Sequence, residues 1–218
     1  MQKLTTQLLV TLTGIAALAA AVTPASAAVE LTSVPGTAVY SGPTPVTFNF
    51  ETATPQYTGG AIVTGTSSTA AQPLGSTGRY ATSGPAAGIG VLNLSSFGDI
   101  DWISFIWGSI DGYNTLEVLD TTGTAFASFT GSSVVVPANG NQSSTITNRL
   151  VTLTFTGEDR AKVNGLRFKS TGNAFEFDNV TVAAVPEPAT WMMMMLGMGA
   201  VGFSLRRKKD TTLRVRFA

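Results

Sequence analysis

Apolar residues in the middle of the chain occur in about ten short runs, each bounded by glycine, proline, asparagine or another turn-forming residue. None of these runs has the length and period of an amphipathic helix. Residues 150–156 alternate most clearly, because Val151, Leu153 and Phe155 fall on one face of an extended chain and threonines fall on the other. Such alternation indicates a strand with one buried face. The pattern therefore predicts an all-β domain.

The predicted strands are short and follow one another at regular intervals. They cover residues 46–50, 61–63, 91–94, 101–107, 113–119, 125–129, 134–136, 150–156, 163–168 and 175–182. Many short strands separated by turns are typical of a β-sandwich, and we expect a jelly-roll-like arrangement.

Four segments carry more specific expectations. Residues 101–107 are apolar on both faces, which predicts a central strand. Residues 108–112 have the length of a hairpin loop. Residues 64–88 are rich in Gly, Ser, Thr, Ala and Pro, which predicts a mobile segment that forms a long loop or an irregular edge. An exposed edge at residues 134–136 would favour self-association.

Residues 1–27 have the three parts of a signal peptide. Lys3 supplies a positive charge, residues 8–22 are apolar, and Ala25-Ser26-Ala27 is a small-residue cleavage site. The sequence thus predicts export through the Sec translocon, removal of the peptide by signal peptidase, and an exported domain over residues 28–184.

The C-terminal region, residues 185–209, combines three features. Pro186-Glu187-Pro188 precedes an uncharged stretch over residues 189–205. Those 17 residues would span about 26 Å as a helix, which predicts a single transmembrane helix. A basic cluster follows, which consists of Arg206, Arg207, Lys208 and Lys209. We expect this cluster to remain cytoplasmic, together with the short tail over residues 210–218.

This arrangement resembles the PEP-CTERM sorting signal of surface proteins in Gram-negative bacteria. The resemblance implies recognition by exosortase, a membrane-embedded processing enzyme, and cleavage near residues 186–188. The protein would be anchored transiently in the inner membrane and then released to the cell surface or the extracellular matrix. The tail over residues 210–218 is longer than is usual in the family. The alternative from the residues alone is a permanent single-span membrane protein.

The segment from Ser104 to Leu116 also resembles a motif in one group of PEP-CTERM surface proteins. It contains Trp107-Gly108-Ser109, then Asp111, then Tyr113-Asn114. The group implies a location and a fold, but it implies no chemical activity.

Composition narrows the classes of function further. The chain has no Cys and no His, which removes disulfides, His-dependent catalysis and nearly all zinc sites. Residues 29–188 contain twelve acids and six bases, a net charge of −6, whereas residues 206–218 carry a net charge of +5. An acidic exported domain has no basic surface for nucleic acid.

Calcium is the one cofactor that the sequence suggests. Residues 175–180 resemble the last strand of jelly-roll carbohydrate-binding modules, in which an Asp often binds structural Ca²⁺ together with an acid of the first strand. The resemblance implies Glu51, Asp178 and Asn179 as ligands. Alternatively, Asp178 and Asn179 make local backbone bonds at a β-bulge.

Aromatic side chains and carboxylate pairs are the remaining candidates for a site. Tyr57 and Tyr80 lie near predicted loops, and we expect them to be exposed and to contact glycans. Trp102, Trp107 and Tyr113 could stack on sugars too, but core packing explains the two tryptophans. The spacing of the acid pairs Asp99/Asp101 and Glu176/Asp178 permits glycosidase carboxylates, but turn and solvent-facing acids explain the pairs better.

The sequence thus predicts a surface or extracellular-matrix protein with a structural or adhesive role in the exopolysaccharide layer of a biofilm. The alternative is a carbohydrate-binding module with a specific glycan ligand, and a glycoside-active enzyme ranks third. We do not expect enzymatic activity.

Overall fold

Eleven strands form two antiparallel sheets in the computed structural model, which describes residues 29–185 and 188–206. The strands are β1 Glu30–Pro35, β2 Tyr57–Thr58, β3 Ala61–Thr64, β4 Arg79–Ser83, β5 Gly90–Asn93, β6 Ile100–Gly108, β7 Asn114–Leu119, β8 Ala125–Thr130, β9 Arg149–Thr154, β10 Gly165–Ser170 and β11 Phe175–Ala184. The helices are α1 Gly131–Val134, α2 Asp159–Lys162 and α3 Pro188–Arg206.

The two sheets pack face to face around an aromatic core. One sheet has the order β1-β9-β6-β11-β4-β3 and the other has the order β2-β5-β10-β7-β8. Phe168 of β10 stacks on Phe177 of β11 with ring centroids 3.7 Å apart, and it also meets Phe105 of β6 edge-on. The all-β prediction is confirmed, and the facing sheets agree with a sandwich. The jelly-roll-like refinement stays a prediction.

Strand β6 lies inside the six-stranded sheet, as its two apolar faces predict. It pairs with β9 on one side and with β11 on the other. Ile103, Phe105 and Trp107 are fully buried between the sheets, and Ile106 on the outer face is 4% exposed. The alternation of β9 is confirmed as well, because its inward side chains are buried and its threonines are half-buried.

Several predicted elements are wrong, because local pattern did not reveal their partners. Residues 46–50 contribute an isolated bridge between Phe48 and Val180 instead of a strand. Helix α1 ends at Val134, so no strand edge exists at residues 134–136. The loop after Gly108 does not close a hairpin, because β6 and β7 belong to different sheets.

Residues 64–88 form neither the long mobile loop nor the irregular edge that their composition predicts. They include strand β4, and Ala70 and Ala71 are buried. We call residues 70–76 the cover segment, because it lies on the outer face of the six-stranded sheet. It packs so closely that a methyl group on Gly108 would come within 2.8 Å of Pro73. The segment is held by the acids described below.

Candidate functional site

A polar cavity of about 270 Å³ opens where β6 ends and β11 begins. Its walls come from residues 67–71, from the loop that joins β6 to β7, and from residues 139–142, with Asn173 and Glu176 completing them. Ten of the thirteen lining residues have polar side chains. The volume lies near the lower end of the roughly 300–1,000 Å³ typical of small-molecule sites.

The segment with the Trp-Gly-Ser sequence forms one wall of the cavity. Trp107 anchors the segment in the core by stacking on Phe175 at a centroid distance of 4.2 Å. Gly108 leaves room for the cover segment. Ser109 then turns back with φ +33° and donates a hydrogen bond of 2.8 Å to Oε2 of Glu176. The segment therefore places its polar residues at the end of the sheet.

Asn114 and Tyr113 fix the far end of the same loop. Asn114 is fully buried, accepts a hydrogen bond from the Asp111 backbone N–H at 2.8 Å and donates one to the Ala174 carbonyl at 3.0 Å. The Tyr113 hydroxyl donates to the Asn173 carbonyl at 2.9 Å. Asp111 is thereby held at the cavity wall.

Asn148 is a structural centre of the site that the sequence did not indicate. It is fully buried, and its Oδ1 accepts hydrogen bonds from the backbone N–H groups of Leu74 and Ser109. Its Nδ2 donates to the carbonyls of Asn141, Gln142 and Ser144. One amide thus joins the cover segment, the β6–β7 loop and the 141–144 loop. Only the three-dimensional contacts distinguish it from any other loop asparagine.

Glu176 is a buried acid at the base of the cavity. Its Oε1 accepts a hydrogen bond from the Ala71 backbone N–H at 2.9 Å, and its Oε2 accepts the bond from Ser109. Burial raises the pKa of Glu176 to about 7, because the two hydrogen bonds offset only part of the effect of lost hydration. The negative charge of Asp111 raises the pKa further. Glu176 is therefore partly protonated near neutral pH.

Asp178 holds the other end of the cover segment. Its Oδ2 accepts a hydrogen bond of 2.5 Å from Ser76, and its Oδ1 accepts one of 2.7 Å from the Asn179 backbone N–H. Burial and, to a smaller extent, the charge of Glu51 raise the pKa of Asp178 to about 7, against these bonds. The two buried acids explain why the cover segment is held in place.

The calcium hypothesis groups Glu51, Asp178 and Asn179. Glu51 is close enough to influence Asp178, but its Oε1 accepts the Arg79 backbone N–H at 2.9 Å. Asn179 has φ +53° beside a β-bulge and makes the local bond to Asp178 expected of the alternative. Within residues 29–185 and 188–206, no three His, Cys, Asp or Glu residues cluster as metal ligands. Calcium binding stays a prediction.

The expected exposure of Tyr57 and Tyr80 is wrong. Tyr80 is fully buried and Tyr57 is 8% exposed, with its ring against Phe50 and Phe177. The Tyr57 hydroxyl donates to the Thr82 carbonyl, and the Tyr80 hydroxyl donates to the Gly65 carbonyl. A ring enclosed in this way cannot present a face to a glycan.

The predicted carboxylate pairs do not offer two free acids to a substrate. Asp101 forms an ion pair of 2.6 Å with Arg160, and Asp99 is exposed. Glu176 and Asp178 share the outer face of β11, where both are bonded to the loops above them.

The chain leaves the sandwich directly into its C-terminal region. Strand β11 ends at Ala184, and the Val185 N–H still donates to the Asp99 carbonyl at 2.7 Å. Helix α3 starts at Pro188, and large apolar side chains along it are exposed, among them Trp191, Met193 and Leu205.

A family model of the PEP-CTERM protein-sorting motif matches residues 184–208. The chain carries a PEP-CTERM sorting motif. This finding confirms the resemblance seen in the sequence and supports a surface protein that exosortase sorts. No curated protein and no solved structure matches the chain at a significant level.

The PEP-CTERM motif is only partly within the described residues. Pro188 and Arg206 are the first and last residues of α3. The other predicted sorting residues, Pro186, Glu187, Arg207, Lys208 and Lys209, lie outside the described residues, as do the predicted signal peptide and the tail over 210–218.

The helix expected at residues 189–205 is present, but its predicted membrane-spanning role is not borne out. In the part of the chain that the structure describes, no helix combines the length and the apolar character needed to cross a membrane.

Proposed function

We propose that the protein is exported, processed by exosortase at its PEP-CTERM motif, and retained at the cell surface or in the extracellular matrix. There it would act as a structural or adhesive component of the exopolysaccharide layer. The observation that carries the proposal is the sorting motif at residues 184–208, which directly follows the last strand of an all-β domain.

A non-enzymatic role fits the chemistry of the domain. The chain lacks His and Cys, so the commonest general bases and thiol nucleophiles are missing. Glu176 and Asp178 bind loops of the protein itself. A glycoside-active enzyme therefore ranks last among the proposals.

Intact-mass measurement on native protein from host strains with and without exosortase tests the sorting proposal. In the wild type we expect a product that starts near Ala28, ends near Pro188 and is found outside the cell. The strain without exosortase should retain the C-terminal region in a cell-associated protein. The same C-terminus and location in both strains would contradict the proposal.

A second candidate is a carbohydrate-binding module, and the polar cavity favours it. Electrophoresis in gels that contain the host's own polysaccharide distinguishes it from a purely structural role. A glycan-binding protein is retarded as the polysaccharide concentration rises, whereas a structural protein without such a ligand migrates unchanged.

A further inference from the structure

We infer that the cavity built by the Trp107–Asn114 segment binds a neutral, hydroxyl-rich sugar unit, with Tyr113 beneath one face of the sugar and amide side chains around its hydroxyls. This inference rests on the second candidate function, because it locates the site that a carbohydrate-binding module would use.

The charge of the cavity excludes acidic ligands. None of the residues that line it is Lys or Arg, and the chain has no His. The acidic groups of the lining are the carboxylate of Asp111 and the side chain of Glu176, which is partly ionised near neutral pH. A phosphate or a uronic acid would meet negative charge without a compensating cation, which costs binding energy. A neutral ligand that donates hydrogen bonds avoids this cost.

Three amides supply unused hydrogen-bonding groups. The side chains of Asn139, Gln142 and Asn173 line the cavity and are exposed, and none forms a hydrogen bond within the described residues. Each amide offers two donors and one acceptor. A sugar hydroxyl is both a donor and an acceptor, so it can pair with these amides and with the carboxylates at the same time.

Tyr113 provides a rigid aromatic surface at the rim. The ring is 39% exposed, its hydroxyl is fixed by Asn173, and it lies so close to Gly172 that an added methyl group there would come within 2.8 Å. The ring therefore loses little freedom when a ligand packs on it. Its exposed face suits the apolar C–H face of a sugar ring.

The same groups are less suited to a divalent cation. Calcium takes six to eight oxygen ligands, and strong sites use several carboxylates. The cavity offers Asp111 and Glu176, and both oxygens of Glu176 already accept hydrogen bonds from the protein. A cavity of about 270 Å³ also exceeds the size of an ion and fits a sugar unit better.

Titration calorimetry on the full-length protein tests the site with four probes: dextran oligosaccharides, mannan oligosaccharides, oligogalacturonate and calcium chloride. We expect heat of binding with at least one neutral oligosaccharide and none with oligogalacturonate. Two variants should each weaken neutral-sugar binding about tenfold or more: the double substitution Asn139→Ala/Gln142→Ala and the single substitution Tyr113→Ala. The first removes one or two hydrogen bonds to the sugar, and the second removes the stacking contact. Tyr113→Phe, which keeps the ring, should bind more tightly than Tyr113→Ala.

Gln56→Ala is the matched control, because Gln56 is an exposed amide beside a different recess. It should leave binding unchanged, and the melting temperatures of all variants verify folding. Preference for oligogalacturonate, a response to calcium alone, or no binding to any probe would overturn the inference.

Gel electrophoresis with the host polysaccharide separates failure of the site from failure of the function. If wild type and cavity variants are retarded equally, glycan binding stands and the cavity is the wrong place. If wild type is not retarded, both fail, while the sorting proposal is judged independently by mass and location.

Discussion

At the residue scale, the buried acid Glu176 links the cavity to the stability of the fold. Its pKa is raised to about 7 in the folded protein, against an ordinary value near 4.5. The folded state therefore prefers the neutral form of this side chain. Its contribution to stability is fully present below about pH 4.5 and is lost as pH rises through 7.

We predict that Glu176→Gln removes this loss. The amide preserves the shape of the side chain and can still accept from Ala71 and donate to Ser109. The variant should match the wild type near pH 4.5 and be more stable at pH 8 by up to about 3 kcal/mol, as a shift of this size implies. Urea unfolding of both proteins at the two pH values measures the difference.

Glu158→Gln is the control for this comparison. Glu158 is exposed, and its ion pair with Lys162 is long, at 3.9 Å. It should change stability by a few tenths of a kcal/mol at either pH. A Glu176→Gln variant that is less stable than the wild type at pH 8 would show that the ionised carboxylate is preferred in the folded protein.

Sequence pattern identified some of the residues of the site, but not what they do. Ser109, Asp111 and Tyr113 stood out because their segment resembles a motif, and the structure places all three at the cavity. Tyr57 and Tyr80 were misplaced, because a polar hydroxyl near a turn looks exposed until long-range packing covers the ring. Burial of a tyrosine depends on contacts that no local window contains.

At the scale of the elements, Asn148 holds three separate segments together around the cavity. We predict that Asn148→Ala lowers the free energy of unfolding by about 2–4 kcal/mol, because it removes five hydrogen bonds of a buried amide and leaves two backbone N–H groups and the Gln142 carbonyl without their partner. Chemical denaturation of the full-length variant checks the value.

Asn49→Ala is the matched control, because Asn49 is exposed and its side chain accepts a single local hydrogen bond from the Glu51 N–H. It should cost well under 1 kcal/mol. Equal effects of the two substitutions would mean that water replaces the bonds of Asn148 and that the loops do not depend on it.

Strands with a strong pattern were predictable, whereas strands rich in small or polar residues were not. Alternation in β9 and the two apolar faces of β6 identify these strands from sequence. Strand β4, Arg79-Tyr80-Ala81-Thr82-Ser83, reads like a loop. It is buried because β3 and β11 pair with it on both sides. Pairing between segments almost 100 residues apart has no local signature.

At the scale of the whole molecule, charge is divided between the β domain and the C-terminal end. Cleavage near Pro188 would remove six bases and one acid, so the released domain would carry a net charge of about −6. We predict that the protein from wild-type cells focuses at a lower pH than the protein from cells without exosortase. Isoelectric focusing followed by immunodetection measures this shift.

The comparison is internally controlled, because the two strains differ only in the processing enzyme. A protease that cuts after Lys and Arg should remove most of the basic C-terminal end from the protein of the exosortase-deficient strain. That protein should then focus closer to the pH at which the wild-type product focuses. Identical focusing of the two untreated proteins would contradict removal of the basic end.

The direction of β11 gives the β domain two distinct ends. Glu176 pairs with Gly108 at the cavity end, and Ala184 pairs with Ile100 at the opposite end. A strand of this length spans about 30 Å.

The chain enters the domain at the end far from the cavity. Glu30 pairs with Thr154, and Thr154 also pairs with Trp102, close to Ile100. Both entry and exit of the chain therefore share one pole, and the cavity occupies the other. The Val185 N–H donates to the Asp99 carbonyl, and the matched sorting motif begins at residue 184, so the described chain reaches the motif at the pole opposite the cavity. A domain tethered at that motif would therefore carry its cavity at the pole farthest from the attachment point.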